Sequence, residues 1–173
     1  MKWNSKKAIH IIIDFILLGI LIFADQFTKK MAVSYLKDKP AKVLIDGVFE
    51  LNYLENRGAA FGMFQNQKIL FVIIAIIMIT VIGCIIVKLP LMKKYNILEI
   101  ILVLITAGAI GNLIDRIKVD YVVDFFYFVL INFPIFNVAD IYVSVSCVLL
   151  AILILFYYKE EDFAFLTKKK NKE

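Results

Sequence analysis

Histidine is nearly missing from this chain. There is one, His10, in 173 residues, alongside two cysteines, three prolines and one tryptophan. His10 stands in the first apolar run, away from any serine or cysteine it would have to activate, so no Ser–His or Cys–His nucleophile is apparent. No H-E-x-x-H stretch occurs, which removes the usual helical zinc-hydrolase signature. Carboxylates alone can hold a metal, but they show no recognisable ligand spacing here. Cys84 and Cys147 both lie inside apolar runs, offer no disulfide framework, and read as small buried apolar residues. Repeats and low-complexity segments are absent.

What is abundant is apolar surface. Hydrophobic residues make up 62% of the chain, against about 45–50% for a soluble domain. They gather into four runs, at about 8–27, 69–87, 97–114 and 138–158. A run of 20 residues spans about 30 Å as a helix, the thickness of a hydrocarbon core. The first run follows Lys2, Lys6 and Lys7 and resembles a signal peptide, but no convincing small-x-small cleavage site follows, so it reads as an uncleaved span. Lysine and arginine are denser in the two terminal segments and the 88–96 connection than in loops 28–68 and 115–137. The denser side is expected to be cytoplasmic. Membrane topology therefore accounts for the net charge of +5 without a nucleic-acid-binding face.

The expected fold is an all-α membrane protein, a single domain over 1–173. It has four transmembrane helices, both termini cytoplasmic, a small extracytoplasmic β element and an aromatic-rich loop. The β element is signalled by Asp46-Gly47, a turn pair between two apolar stretches. Beyond it, Phe49, Leu51 and Tyr53 alternate with Glu50 and Asn52. Asn56-Arg57-Gly58 and Gly62 close the loop. Segment 121–136 holds seven aromatics in sixteen residues, suited to anchoring at the bilayer interface or to forming a lid over a lipid-bearing substrate.

Polar residues inside or beside the spans are the functional candidates, because a carboxylate at membrane depth costs about 2.5–3.5 kcal/mol. Asp14 and Asp25 are eleven residues apart, within roughly 20° around a helix axis, so both can face one interior groove. Lys29, four residues after Asp25, is an ion-pair partner. Asp14 has only His10 nearby and reads as structural or neutral. Ala107 and Gly111 form a small-xxx-small contact pair. Asn112, Asp115 and Arg116 share one face at the end of the third span, where Arg116 beside Asp115 suggests an internal pair. Asn137, Asp140 and Ser144 share a face of the fourth, and Asp124 sits in the connecting loop.

Two carboxylates held close cannot both ionise readily, so they share a proton. One then activates a water while the other donates to a substrate carbonyl, chemistry that requires neither cofactor nor metal. A proton-coupled transporter using Asp14, Asp25, Asp115 and Asp140 is the alternative, and it predicts acids spread through the membrane. A non-enzymatic assembly factor would not need the pair.

Five motifs appear in order: DQFTK at 25–29, NRGAAFG at 56–62, GNLIDR at 111–116, VVDFF at 122–126 and FNVAD at 136–140. With their placement on four spans they resemble the lipoprotein signal peptidases (signal peptidase II) over nearly the whole chain. The resemblance implies an aspartyl endopeptidase of the bacterial cytoplasmic membrane, and the lysine and arginine distribution puts its active site at the outer face. Its substrates would be signal peptides of prolipoproteins bearing a diacylglyceryl group, cut just before the lipidated cysteine. It implies Asp124 and Asp140 as the dyad and Asn56, Asn112 and Arg116 as substrate-binding residues. Asp25, Lys29, Gly58, Gly62, Asp115 and Asn137 would support them. Membrane phospholipid and globomycin-type cyclic peptides are the further expected partners.

Overall fold

The computed structural model describes residues 5–59 and 63–166; Gly62 lies outside them. In chain order the elements are α1 (Ser5–Leu36), β1 (Lys42–Ile45), β2 (Phe49–Asn56), α2 (Lys68–Lys88), α3 (Asn96–Val119), β3 (Val122–Phe128) and α4 (Val138–Phe156). All four helices are long and apolar enough to cross a membrane, and α3 is enclosed by the others: 61% of its apolar window is buried, against 6%, 6% and 11% for α1, α2 and α4. The exposed faces of α1, α2 and α4 are aliphatic and aromatic, with Phe15, Phe23, Ile69 and Phe156 pointing outward, as lipid contact requires.

α3 has the smallest side chains where it is most crowded. A Cβ at Gly108 would collide with the Ala139 carbonyl, and one at Gly111 with the Asp25 carboxylate. Ala107 is fully buried, but the close approaches are made at Gly108 and Gly111. In a bilayer, helices associate through such close packing rather than through hydrophobic expulsion. At the opposite end, Tyr95 stacks on Tyr158 at 5.8 Å, over Leu98, Ile101, Leu102 and Ile105. Lys7 there donates to the carbonyls of Ile86 and Leu89 at 2.8 and 3.0 Å, fastening α1 to the end of α2.

Three sequence expectations change. First, α1 and α3 outrun their apolar runs, which end at 27 and 114. Lys29 pairs with both Asp25 and Asp115, so the helices continue through them, and Ala32 and Leu36 bury against Val123 and Phe125. Second, the aromatic segment is not all loop. Val122–Phe128 is a strand, and the sheet has the antiparallel order β1-β2-β3. Its reversal from α3 is made by Asp120 in the left-handed region, at φ 70°, a conformation Asp tolerates better than most residues. The Asp46-Gly47 hairpin forms as expected, with Gly47 at φ 66°. Third, Cys84 and Cys147 are exposed on outward helix faces rather than buried.

Asp14 also finds a different neighbour. It faces Glu99 of α3, while His10 Nδ1 lies 3.4 Å from Glu99 Oε2. Asp14 is thus part of a separate polar cluster toward the other end of the helices.

The packing predicts a contrast between glycines. Gly108→Ala forces α3 and α4 apart and lowers stability by about 1–3 kcal/mol. Gly19→Ala, with nothing within 4 Å of the added Cβ, leaves it unchanged or slightly higher. Thermal unfolding in detergent distinguishes them; equal midpoints would contradict the packing.

Candidate active site

Asp124 lies in the middle of β3, opposite Leu54 of β2, and Asn56 is two residues along that partner strand. Residues two apart on a strand share a face, so Asn56 is a diagonal neighbour of Asp124, and its Nδ2 donates to Asp124 Oδ2 at 2.8 Å. Asn56 Oδ1 in turn accepts from Gly58 N at 2.9 Å, which orients the amide. Asn137 Nδ2 donates to Asp124 Oδ1 at 2.6 Å. Asp124 is 1% exposed. Burial, then the charge of Asp140, pushes its carboxyl up to about 7, against the opposing effect of the two amide donors.

Asp140 is held by a helix start. Asn137 is the N-cap of α4, and the pair forms a capping box: Asp140 N donates to Asn137 Oδ1 at 3.0 Å, and Asn137 N to Asp140 Oδ2 at 3.1 Å. Asn112 Nδ2 donates to Asp140 Oδ1 at 2.8 Å. Asn137 therefore touches both carboxylates. Both line one cavity of about 360 Å³, with Asn56, Asn112 and Arg116 on its walls and Ser144 below on α4.

Beneath this pair lies Lys29, 3% exposed. Its ammonium has three hydrogens and three partners: Asp115 Oδ2 at 2.9 Å, Asp25 Oδ2 at 3.0 Å and Asn112 Oδ1 at 2.8 Å. Its two acids also accept backbone amides. Asp25 Oδ1 accepts from Ala139 N at 3.0 Å, and Asp115 Oδ2 from Val123 N at 3.2 Å. Each anchored amide belongs to the residue before one of the cavity aspartates.

Asp115 is therefore paired with Lys29, not with Arg116 as adjacency suggested. Consecutive residues on a helix point about 100° apart, and here one faces α1 while the other faces the cavity. Arg116 donates to Gly58 O at 3.1 Å and to Asn112 O at 3.4 Å, and its guanidinium lies 4.5 Å from the centre of the Phe71 ring. Asn112, like Asn56, has both ends of its amide engaged within the protein, and its Nδ2 orients Asp140. Gln26 is a residue the sequence reading passed over: it donates to Asp115 Oδ1 at 2.9 Å and to Gly111 O at 3.2 Å. Its only signal was a place inside DQFTK. Phe71, in an uncharged apolar run, had none. Among the described residues no group of three or more His, Cys, Asp or Glu side chains converges as a metal site.

Residues 17–156 match the family described as Signal peptidase (SPase) II. The chain belongs to that family. A lipoprotein signal peptidase of Caldanaerobacter subterraneus subsp. tengcongensis is 42% identical over 142 residues, 82% of this chain and 94% of the relative. One of Clostridioides difficile is 40% identical over 149 residues, 86% and 96% of the two chains. A solved bacterial membrane enzyme superimposes with a TM-score of 0.73 at 27% identity, covering 92% of this chain and 93% of its own. A second gives 0.72 at 28% identity, covering 84% and 94%. The protein is thus a multi-pass bacterial membrane peptidase, and the transporter reading is set aside. The described residues of all five motifs fall at the end of the bundle that carries the sheet.

Within this signal peptidase II fold the buried ion cluster predicts a large asymmetry between two lysines. Lys29→Met leaves two buried carboxylates without a cation and costs about 3–5 kcal/mol. Lys37→Met removes a solvent-screened pair with Glu55, whose side chains are 39% and 30% exposed, and leaves stability nearly unchanged. Thermal midpoints of the two purified variants measure this. A similar small loss in both would show that the cluster carries no unusual stability.

Proposed function

We propose that the protein is an aspartic endopeptidase acting on prolipoproteins whose cysteine carries a diacylglyceryl group, with Asp124 and Asp140 as its catalytic pair. The observation that carries the reading is Asn137. Its side chain bonds Asp124 and its backbone bonds Asp140, so two acids from separate elements share one cavity wall.

In this reading Asp124 holds the shared proton at neutral pH and Asp140 is ionised. A water between them gives a proton to Asp140 as its oxygen attacks the scissile carbonyl carbon. Asp124 donates its proton to the carbonyl oxygen, forming a tetrahedral diol. Asp140 then returns a proton to the amide nitrogen, the C–N bond breaks as a diol hydroxyl gives its proton back to Asp124, and the new carboxyl group and the lipidated cysteine's free amine leave the restored pair. Arg116, Asn56 and Asn112 at the cavity wall hold the unwound substrate backbone, whose helical hydrogen bonds must be given up before attack.

The site lies at the extracytoplasmic face, and both termini are cytoplasmic, in accord with the lysine distribution. The substrate's acyl chains stay among membrane phospholipids of that leaflet, and globomycin-type cyclic peptides compete for the same cavity. A second depression of about 400 Å³ continues from Asn56 past Asn52, Leu54 and Tyr127, a path along which the segment after the cut would leave.

The test uses purified enzyme and a lipid-modified prolipoprotein. Asp124→Asn and Asp140→Asn each abolish cleavage without unfolding the protein, and EDTA leaves the wild-type rate unchanged. The rate falls as pH rises through about 7, because the pair then loses the proton it donates. Near wild-type turnover in either variant removes the assignment. Loss on chelation, restored by a divalent ion, moves the mechanism to metal-assisted hydrolysis.

A further inference from the structure

A depression larger than the one that holds the aspartates lies elsewhere on the described surface. It has a volume of about 530 Å³ and lies on the other face of the sheet, between the last turns of α1 and strands β2 and β3. Its walls are Met31, Tyr35, Leu51 and Phe125, and Lys39 and Lys42 stand at its rim. The strand alternation that turns Asp124 toward the catalytic cavity turns Phe125 the opposite way. A molecule in this groove therefore touches the strand that carries Asp124 without entering the cavity.

Its height in the membrane follows from lengths and exposure. α1 has 32 residues, about 48 Å at 1.5 Å per residue, while a hydrocarbon core takes about 30 Å. Its last turns must stand at the headgroup level or above unless the helix tilts strongly. β1, beside the groove, is exposed at all four positions, and three of them are Val43, Leu44 and Ile45. An apolar strand left uncovered on both faces by the described residues belongs in the acyl boundary. That places the neighbouring Lys39 and Lys42 at the level of lipid phosphates.

Lys39 and Lys42 are set apart from Lys30 and Lys118, also unpaired among the described residues, by their place on the groove. Lys29, Lys37 and Lys68 on this side each meet a carboxylate, respectively Asp115 with Asp25, Glu55, and Asp120. Lys39 and Lys42 meet none among the described residues, although Asp38 lies between Lys37 and Lys39 and acts on Lys37. An apolar trough under two uncompensated ammonium groups is complementary to an amphiphile with an anionic head.

From this we infer that the groove binds one anionic phospholipid of the adjacent leaflet, phosphate on Lys39 and Lys42 and an acyl chain against Met31, Leu51 and Phe125. The lipid is a resident ligand rather than the substrate, because the sheet separates it from the aspartates. By bracing Phe125 it sets the height of β3. The inference rests on membrane placement and not on the aspartic mechanism, so its test reads lipid binding directly.

Native mass spectrometry of the full-length protein, in detergent with equimolar phosphatidylglycerol and phosphatidylcholine, gives that reading. Wild type retains one phosphatidylglycerol in preference to phosphatidylcholine by on the order of tenfold, as two lysine–phosphate contacts allow. The Lys39→Gln/Lys42→Gln variant loses the preference while its thermal midpoint holds. Lys30→Gln/Lys118→Gln, with the same charge loss outside the groove, keeps it. Equal retention of the two lipids by wild type overturns the site, as does equal loss in the control variant. Displacement of the phosphatidylglycerol by lipid-modified prolipoprotein would put substrate there instead and overturn it too.

Discussion

Everything at the sheet end of the bundle depends on the ammonium of Lys29. A buried lysine is costly unless its charge is paired and its hydrogens are used. Here two acids and an amide oxygen do both. Because those acids also accept from Val123 N and Ala139 N, the cation fixes the backbone immediately before Asp124 and Asp140. Asn112 continues the chain of contacts, accepting from Lys29 and donating to Asp140. One buried charge thereby ties α1, α3, β3 and α4 into a single arrangement and sets the distance between the two aspartates.

The helical part of this arrangement was legible in the sequence because lipid imposes a simple code. Uninterrupted apolar runs of about twenty residues have few alternatives to a span, and the exceptions within them mark interior positions. Asp25 with Lys29, and Asn137 with Asp140, were visible as helical spacings, and both pairs form. Asp46-Gly47 announced its turn for the equally local reason that glycine accepts positive φ.

What the sequence hid was long-range. β3 pairs with a strand far upstream, and its run of aromatics serves an interface as well as it serves a sheet, so Val122–Phe128 read as loop. Asp115 looked paired to Arg116 because adjacency is local, whereas its true partner Lys29 lies on another helix. The lengths of α1 and α3 were underestimated for the same reason: charges that end a span in isolation do not end it when another helix neutralises them. Cys84 and Cys147 were misplaced because an apolar run does not reveal which of its faces meets lipid. The groove at Lys39 and Lys42 had no sequence signal, since it exists only where the overhang of α1 meets the sheet.

The central claim is that Asp124 and Asp140 act as one coupled pair sharing a proton. Infrared difference spectroscopy of wild type against Asp124→Asn isolates the protonated carboxyl of Asp124 from other buried acids. The account predicts that this band persists until pH passes about 7, and that Asp140→Asn moves its midpoint downward, since removing the neighbouring charge removes part of the cause. A midpoint near the ordinary aspartate value of about 4, or one that Asp140→Asn leaves in place, would contradict it.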